Sequence, residues 1–300
     1  MKALFIFNPL SGKGRIVRKL NRIEKTLKEH FGEVELYQTK SAEDLEEKLR
    51  ADAEKYDAVI FSGGDGTFNH VITALEGKDV QLGYIPSGTV NDVARSLKIP
   101  RTVKGALKVI VKGDSARLDC IHVGSRYAMY IAAAGAFTGA TYHTSQKQKR
   151  ALGALAYALE AVRHNLKLDV FPVEVISGED AIKTHAVLVL VMNGKSVAGF
   201  PINKRGSMKD GKLEVAVIKQ VERPNLLRRI GALFSVASLF VFGCRIRRRD
   251  IFYLSGDHIK VNTAERVVWD FDGEEGFKGN AEMRVCPEAV RLFVPKNKKI

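Results

Sequence analysis

Short apolar runs and helical repeats of apolar residues alternate along the first hundred residues of the chain. Lys2–Phe7, rich in Phe and Ile, reads as a buried strand, and Ile16, Val17, Leu20, Ile23 and Leu27 then recur at helical spacing. Val34–Tyr37 predicts a second strand. Ser41-Ala42-Glu43-Asp44 has the form of a capping box and opens a helix with Leu45 and Leu49 on one face. Ala58–Phe61 predicts a third strand, followed by a helical stretch from Thr67 to Leu75. Leu82–Ile85 predicts a fourth, followed by Val90–Leu97. This alternation predicts a parallel sheet with helices on both faces. In such sheets ligands bind beyond the carboxyl ends of the strands, where the polar, glycine-rich segments of this chain fall.

After Asp114 the rhythm changes. Leu118–Val123, Tyr127–Ala134, Val170–Ile176, Ala186–Met192, Leu213–Ile218, Ile251–Leu254, His258–Val261 and Val267–Trp269 are short strand-like runs. Turn signals such as Ser177-Gly178, Asp210-Gly211 and Asp272-Gly273 separate them, and two helical stretches interrupt, Leu152–Asn165 and Leu226–Phe242. The expected architecture is an α/β domain over residues 1–118 and an antiparallel β-sandwich domain over 119–287. The last run, Ala289–Val294, within the tail 288–300, is a candidate to return to the first domain.

Composition narrows the function. The chain has 300 residues, 45% hydrophobic and 27% charged, with 26 Gly and 8 Pro, which is globular and neither collagenous nor Pro-rich. Lys+Arg 48 against Asp+Glu 34 leaves +14, which points to a polyanionic partner: nucleic acid, phosphorylated ligand or anionic membrane. Cys120, Cys244 and Cys286 are widely spaced and odd in number, and no CxxC or HExxH exists, so neither a disulfide framework nor a zinc site is expected. The start lacks a signal-peptide cleavage region, and the longest apolar run, Ile230–Cys244, has 15 residues. A spanning helix needs about 20. A reducing, cytoplasmic location with peripheral membrane contact is the expectation.

Three polar, glycine-rich loops follow strands of the predicted parallel sheet: Asn8-Pro9-Leu10-Ser11-Gly12-Lys13-Gly14, Gly63-Gly64-Asp65-Gly66-Thr67, and Pro86-Ser87-Gly88-Thr89-Val90-Asn91-Asp92. Each precedes a helix, so its backbone N–H groups can face an anion. One such loop is commonly just a turn. Three on one sheet edge predict phosphate binding. The familiar phosphate motifs fail: Gly194-Lys195-Ser196 has Val189 where a P-loop needs glycine, and Val17 and Asn69 break both potential GxGxxG patterns. A GxSxG serine signature is also absent.

In this order the loops resemble the diacylglycerol kinase catalytic family, which includes sphingosine and ceramide kinases and soluble bacterial lipid kinases. The matching residues are Asn8-Pro9-x-Ser11-Gly12-Lys13-Gly14, Gly63-Gly64-Asp65-Gly66-Thr67-x-Asn69 and Pro86-x-Gly88-Thr89-x-Asn91-Asp92-x-Ala94-Arg95. Arg117-x-Asp119, Leu152-Gly153 with Tyr157, Asp210-Gly211-x-Leu213 and Asp272-Gly273-Glu274 extend the resemblance over nearly the whole chain. One departure stands out: His70 occupies the place where the family usually has glutamate after the loop asparagine.

The resemblance implies a two-domain, NAD-kinase-like fold that uses ATP and Mg²⁺ to phosphorylate a lipid hydroxyl, diacylglycerol to phosphatidic acid being the first guess. It implies nucleotide contacts from Asn8, Ser11, Gly12, Lys13, Thr39, Gly63, Gly64, Asp65, Gly66, Thr67, Asn69, Gly88, Thr89, Asp92 and Arg95. Asp65 would stand near the nucleotide magnesium with Asp119 as a further acidic neighbour, and Glu274 falls on the family's general base. Ser207, Asp210 and Lys212 match a second magnesium site of some bacterial members, and a homodimer is compatible with the family. Phosphoryl transfer requires these residue types: backbone donors and cations on the phosphates, and a carboxylate at the acceptor hydroxyl.

Arg228, Arg229, Arg245, Arg247, Arg248 and Arg249 bracket the long apolar stretch, and Lys147, Lys149 and Arg150 precede the other helix. A solvated charged face is the plain reading. A lipid kinase approaching an anionic bilayer explains both features. In an extended segment Arg247, Arg248 and Arg249 would alternate in direction, and an arginine paired with Asp250 would contribute less. Nucleic acid is not expected as a partner, because no aromatic interleaving accompanies the basic runs. NAD kinase is the rival enzyme, and a basic nucleotide-regulated binding protein the rival outside enzymes.

Overall fold

The computed structural model describes residues 1–9, 16–136 and 169–296. Ser11, Gly12 and Lys13 lie outside them, as do Lys147, Lys149, Arg150, the Leu152–Asn165 stretch and Tyr157. Strands β1 (Lys2–Phe7), β2 (Glu33–Gln38), β3 (Ala58–Gly63) and β4 (Gln81–Pro86) alternate with α1 (Leu20–Phe31), α2 (Ala42–Asp52) and α3 (Asp65–Ala74), and α4 (Asp92–Ser96) and α5 (Val103–Lys112) follow. The four strands pair in parallel in the order β2-β1-β3-β4. Side chains alternate across the sheet, so β1 feeds two cores at once. Leu4 and Ile6 join Leu45, Leu49, Phe68 and Val71 under α2 and α3. Ala3, Phe5 and Phe7 join Ile23, Leu27, Leu107 and Ile110 under α1 and α5. Because β2 and β3 flank β1 on opposite sides, the crossover reverses there and opens a crevice beyond the carboxyl ends of β1 and β3.

The second layer is built from β5 (Asp114–Val123), β6 (Arg126–Ala128), β7 (Ile131–Gly135), β8 (Phe171–Ser177), β9 (Asp180–Met192) and β10 (Leu213–Lys219). Helix α6 (Leu226–Phe242) intervenes before β11 (Ile251–Gly256), β12 (His258–Thr263), β13 (Val268–Phe271), β14 (Glu274–Lys278) and β15 (Ala281–Val294). These strands pair antiparallel with one another around Phe171, Val175, Val191, Val217, Trp269 and Met283. The expected class, a parallel α/β layer joined to an antiparallel β-sandwich, is the one observed. One long strand joins the layers. The first residues of β15 pair with β12, its last residues run parallel to β4 at Leu292↔Leu82, and β5 follows it on either side of a bulge between Cys286 and Val290.

Local chemistry accounts for most element starts. Ser41 Oγ accepts the Asp44 N–H at 3.2 Å, as its capping box predicts. Helix α5 lies where the pattern reading places none, and opens on Thr102, whose Oγ1 accepts the Gly105 N–H at 3.2 Å. Strand β14 and residues 281–288 of β15 likewise lie where no strand is expected, and two expected elements change their bounds. The single strand expected over Tyr127–Ala134 splits into β6 and β7, because the N–H groups of Met129, Tyr130 and Ile131 turn onto the Asp272 carboxylate. The helix expected over Val90–Leu97 shortens to α4, because Asn91 is left-handed (φ 56°). Cys120, Cys244 and Cys286 are all free thiols.

Candidate active site

The second and third glycine-rich loops touch backbone to backbone. The N–H groups of Ser87 and Gly88 donate to Gly63 O at 2.8 and 3.3 Å. A Cβ on Gly88 would fall on Gly64 Cα, so no side chain fits between the loops. Asn91 makes the left-handed turn affordable by tying off the third loop: its Oδ1 accepts the Gly88 N–H at 2.9 Å and its Nδ2 donates to Gly88 O at 2.8 Å. Thr67 folds over Gly63. The result is bare backbone at the N-terminus of α3, a place suited to anionic oxygens. At the neighbouring strand ends, Thr39 donates to Phe7 O from its N–H at 3.0 Å, immediately before Asn8. Arg95 is exposed and donates to Val90 O at 3.0 Å, and Thr89 is exposed with its carbonyl held by Arg101.

The predicted carboxylates occupy three different settings. Asp65 accepts the N–H groups of Asp92 and Val93 at 3.0 and 3.1 Å, so it caps α4 and ties the second loop to the third. Burial pushes it up to about 6, with the Asp92 charge adding to the rise and the α4 amides opposing it. Asp92 is buried and shifted upward by that burial. One of its oxygens accepts Ser196 Oγ at 2.6 Å and the Gly199 N–H at 2.8 Å, while Oδ2 is buried with no partner. Asp119 accepts instead from the N–H groups of Gly211 and Glu288, at 2.8 and 3.0 Å, and so pins the 208–211 loop to the bulge of β15. Gly194-Lys195-Ser196, which fails as a P-loop, docks the second layer on α4: Ser96 Oγ accepts the N–H groups of Lys195 and Ser196, both at 3.1 Å.

Glu274, at the start of β14, reaches the first layer. A Cβ on Gly66 would overlap its carboxylate, which places Glu274 directly against the first turn of α3. Its Oε2 lies 3.4 Å from His70 Nε2, and His70 Nδ1 lies 2.6 Å from Glu46 Oε1. The hydrogen bond to Glu274 and the one to Glu46 together lift His70 to about 9, against the opposing effect of burial, so at neutral pH it is an imidazolium between two carboxylates. The raised value fixes the sign of its linkage: this bridge stabilises the fold fully below the ordinary histidine pKa and loses its effect as pH rises through about 9.

Asp272, quoted above only as part of a motif, proves central. It is buried, with burial pushing it up to about 7, and accepts the N–H groups of Met129, Tyr130 and Ile131 at 2.5, 3.0 and 3.1 Å. Asn69 Nδ2, from α3, reaches the same carboxylate at 3.3 Å and Tyr127 O at 2.5 Å. Asp272 thereby holds the turn that presents Glu274. Asp272→Ala should strand these donors and cost on the order of 3–5 kcal/mol of stability, measurable by urea denaturation. A variant as stable as wild type would mean that water serves these amides equally well.

Ser207, Asp210 and Lys212 share the loop before β10, with the Lys212 N–H on Asp210 Oδ1 at 3.2 Å. Glu214 lies beyond them, pushed up to about 7 chiefly by burial, with the Asp210 charge adding to it. Among the described residues no three His, Cys, Asp or Glu side chains converge as a metal cluster. The second and third loops themselves carry two carboxylates, Asp65 and Asp92, the latter with a partnerless Oδ2. Such a sparse set fits Mg²⁺, which keeps waters and takes substrate phosphates as ligands.

Comparison with known proteins agrees with this geometry. The family model for the diacylglycerol kinase catalytic domain matches residues 2–123, and that for the YegS C-terminal NAD kinase beta sandwich-like domain matches residues 131–294. A diacylglycerol kinase of Bacillus subtilis (strain 168) is 30% identical over 302 residues, spanning 99% of this chain and 97% of its own. One from Staphylococcus aureus (strain bovine RF122 / ET3-1) is 30% identical over 300 residues, spanning 99% of this chain and 93% of its own. The crystal structure of a diacylglycerol kinase from Bacillus anthracis str. Sterne superposes with a TM-score of 0.79 at 24% identity, covering 98% of this chain and 97% of that one, which establishes the likeness of fold. With both layers matched end to end, the chain belongs to the diacylglycerol kinase family of lipid kinases.

Proposed function

We propose that this lipid kinase transfers the γ-phosphoryl group of ATP, with Mg²⁺, to the hydroxyl of diacylglycerol, giving phosphatidic acid at the cytoplasmic face of an anionic membrane. One observation carries the reading. The Glu274 carboxylate of the sandwich layer lies against Gly66 in the glycine cradle of the α/β layer, so a proton acceptor stands beside the place where phosphates fit. We divide the chain at 118/119 and 287/288, and the β5–β15 bulge between Cys286 and Val290 supports that division.

In this mechanism the backbone of Gly63, Gly64, Gly66 and Gly88 cradles phosphate oxygens, and Asn8, Ser11, Gly12, Lys13, Thr39, Thr67 and Thr89 contribute the other nucleotide contacts that the family resemblance implies. Asp65 and Asp92 would hold the cation, and Arg95 tempers the charge on Asp92. Bound Mg²⁺ supplies neutralisation of charge developing on the phosphates. Glu274 takes the proton of the acceptor hydroxyl as its oxygen attacks phosphorus and ADP leaves. Asn69 and Asp119 act as positioning residues through the contacts described above. Ser207, Asp210 and Lys212, which share the loop before β10, would form the second, structural cation site.

The deciding experiment incubates the purified chain and radiolabelled ATP with diacylglycerol, a sphingoid base, a polyprenol and NAD in parallel. Label in phosphatidic acid, dependent on Mg²⁺, is the expected result. Label in NADP, or ATP hydrolysis indifferent to every acceptor, would overturn the reading.

A further inference from the structure

Helix α6 is apolar on every side, yet only one side is covered. Ala232, Leu233, Val236 and Leu239 are buried, and Ser235 hydrogen-bonds Asp250 on the same side. Across the helix, Leu227 (78% exposed), Ile230, Phe234 (63% exposed) and Val241 follow the helical repeat, with Leu226 and Phe242 exposed at the ends. A contiguous exposed apolar stripe of this kind marks an interaction surface.

Charge names the occupant. From Arg223 to Arg249 the chain contains no acidic residue. Arg223, Arg228, Arg245, Arg247 and Arg249 are exposed around the stripe. Arg248 is used internally, paired with Asp250 at 3.1 Å and stacked 5.3 Å from the Phe234 ring centroid, so the alternation expected along Arg247-Arg248-Arg249 is realised. A second copy of this face would set arginines against arginines. An anionic bilayer satisfies both the apolar stripe and its basic ends. Because the opposite side of α6 packs on the protein, the helix lies along the membrane rather than across it, although its length and composition alone would permit a span. Its C-terminal end also leads to the site. The Cys244 N–H donates to Ile202 O at 2.8 Å, Phe240 meets Phe200 edge-on at 5.6 Å, and the adjoining Gly199 N–H holds Asp92.

We propose that α6 lies in the interfacial plane of an anionic bilayer, with Leu227, Ile230, Phe234 and Val241 among the acyl chains and the flanking arginines on lipid phosphates. The proposal rests on the lipid-acceptor reading for its purpose, but its test reads docking alone. The full chain is sedimented with phosphatidylglycerol/phosphatidylcholine vesicles and with pure phosphatidylcholine vesicles, at low and high salt. Wild type should bind the anionic vesicles, more weakly at high salt, and pure phosphatidylcholine at least tenfold less. Ile230→Gln/Phe234→Gln should lower binding to anionic vesicles at least tenfold, and Arg247→Gln/Arg249→Gln should narrow the preference for them. Circular dichroism and activity on a short-chain soluble acceptor should stay as in wild type, which separates docking from catalysis. As a second measure, a Phe234→Trp chain should be quenched by brominated acyl chains. Unchanged sedimentation of the apolar double variant, absence of quenching, or a dimer that this variant dissolves while vesicles bind neither chain would overturn the proposal, the last assigning α6 to contact between copies.

Discussion

Glu274→Gln should lower lipid phosphorylation by about 10²–10⁴-fold while leaving the fold and nucleotide binding intact, the range that loss of a positioned general base costs. The substitution preserves shape. Glutamine keeps an oxygen toward His70 Nε2, 3.4 Å away in the wild type, and it still fits against the glycine at 66. What it removes is the negative charge, and with it both the pairing with the His70 imidazolium and the capacity to accept a proton. The side chain is 40% exposed, so the base is open to an incoming hydroxyl. The protonated His70 beside it matters to how the result is read. Held between Glu46 and Glu274, the imidazolium orients the Glu274 carboxylate, and it loses its charge as pH rises through about 9. Assays at pH 7 and 8 therefore keep this bridge in place in the wild type, while in the variant His70 loses the larger of its two carboxylate partners and its pKa falls. Turnover near the wild-type rate would make Glu274 a turn residue and move the base elsewhere.

Much of this site is legible in the sequence, for a physical reason. Backbone-to-backbone approach at Gly64 and Gly88 tolerates no side chain, so the glycines must be written into the chain at each position. Asn91 is legible as a loop residue but not as the start of α4: the apolar pattern carries a helix back to Val90, and the left-handed turn that shortens it depends on the side chain bonding Gly88. The parallel half of the fold is likewise local, each strand and its helix being a single sequence unit. What stays hidden is contact between distant segments. Asn69 and Asp272 meet across 203 positions, and the splitting of Tyr127–Ala134 into two strands follows from that same carboxylate. His70 is visible as a departure from the family pattern, but its place between Glu46 and Glu274 depends on α2 and β14 arriving on either side of α3. For α6 the sequence displays an apolar run, while only the packing of Leu233, Val236 and Leu239 tells which side is left outward.

Asp65→Asn should reduce activity by about 10²-fold or more, yet leave the melting temperature of the nucleotide-free protein at pH 7 unchanged or slightly raised. The two effects have opposite origins in one carboxylate. Asp65 accepts the amides of Asp92 and Val93, a capping role that the asparagine oxygen retains in part. Its charge is a separate matter, because burial and the neighbouring Asp92 hold its pKa up at about 6. Between the ordinary aspartate value and about 6 the folded protein keeps a proton that the unfolded chain has released. Stability contributed at this site therefore falls as pH rises through that window, and the penalty is complete by pH 7. Asparagine removes the penalty, so the variant's melting temperature should vary less than the wild type's between pH 4 and 6. A bound cation relieves the same penalty in the wild type alone. The upward shift in melting temperature on adding Mg²⁺ and nucleotide should accordingly shrink in the variant. A large loss of stability without ligand, combined with normal turnover, would instead reduce Asp65 to the cap of α4.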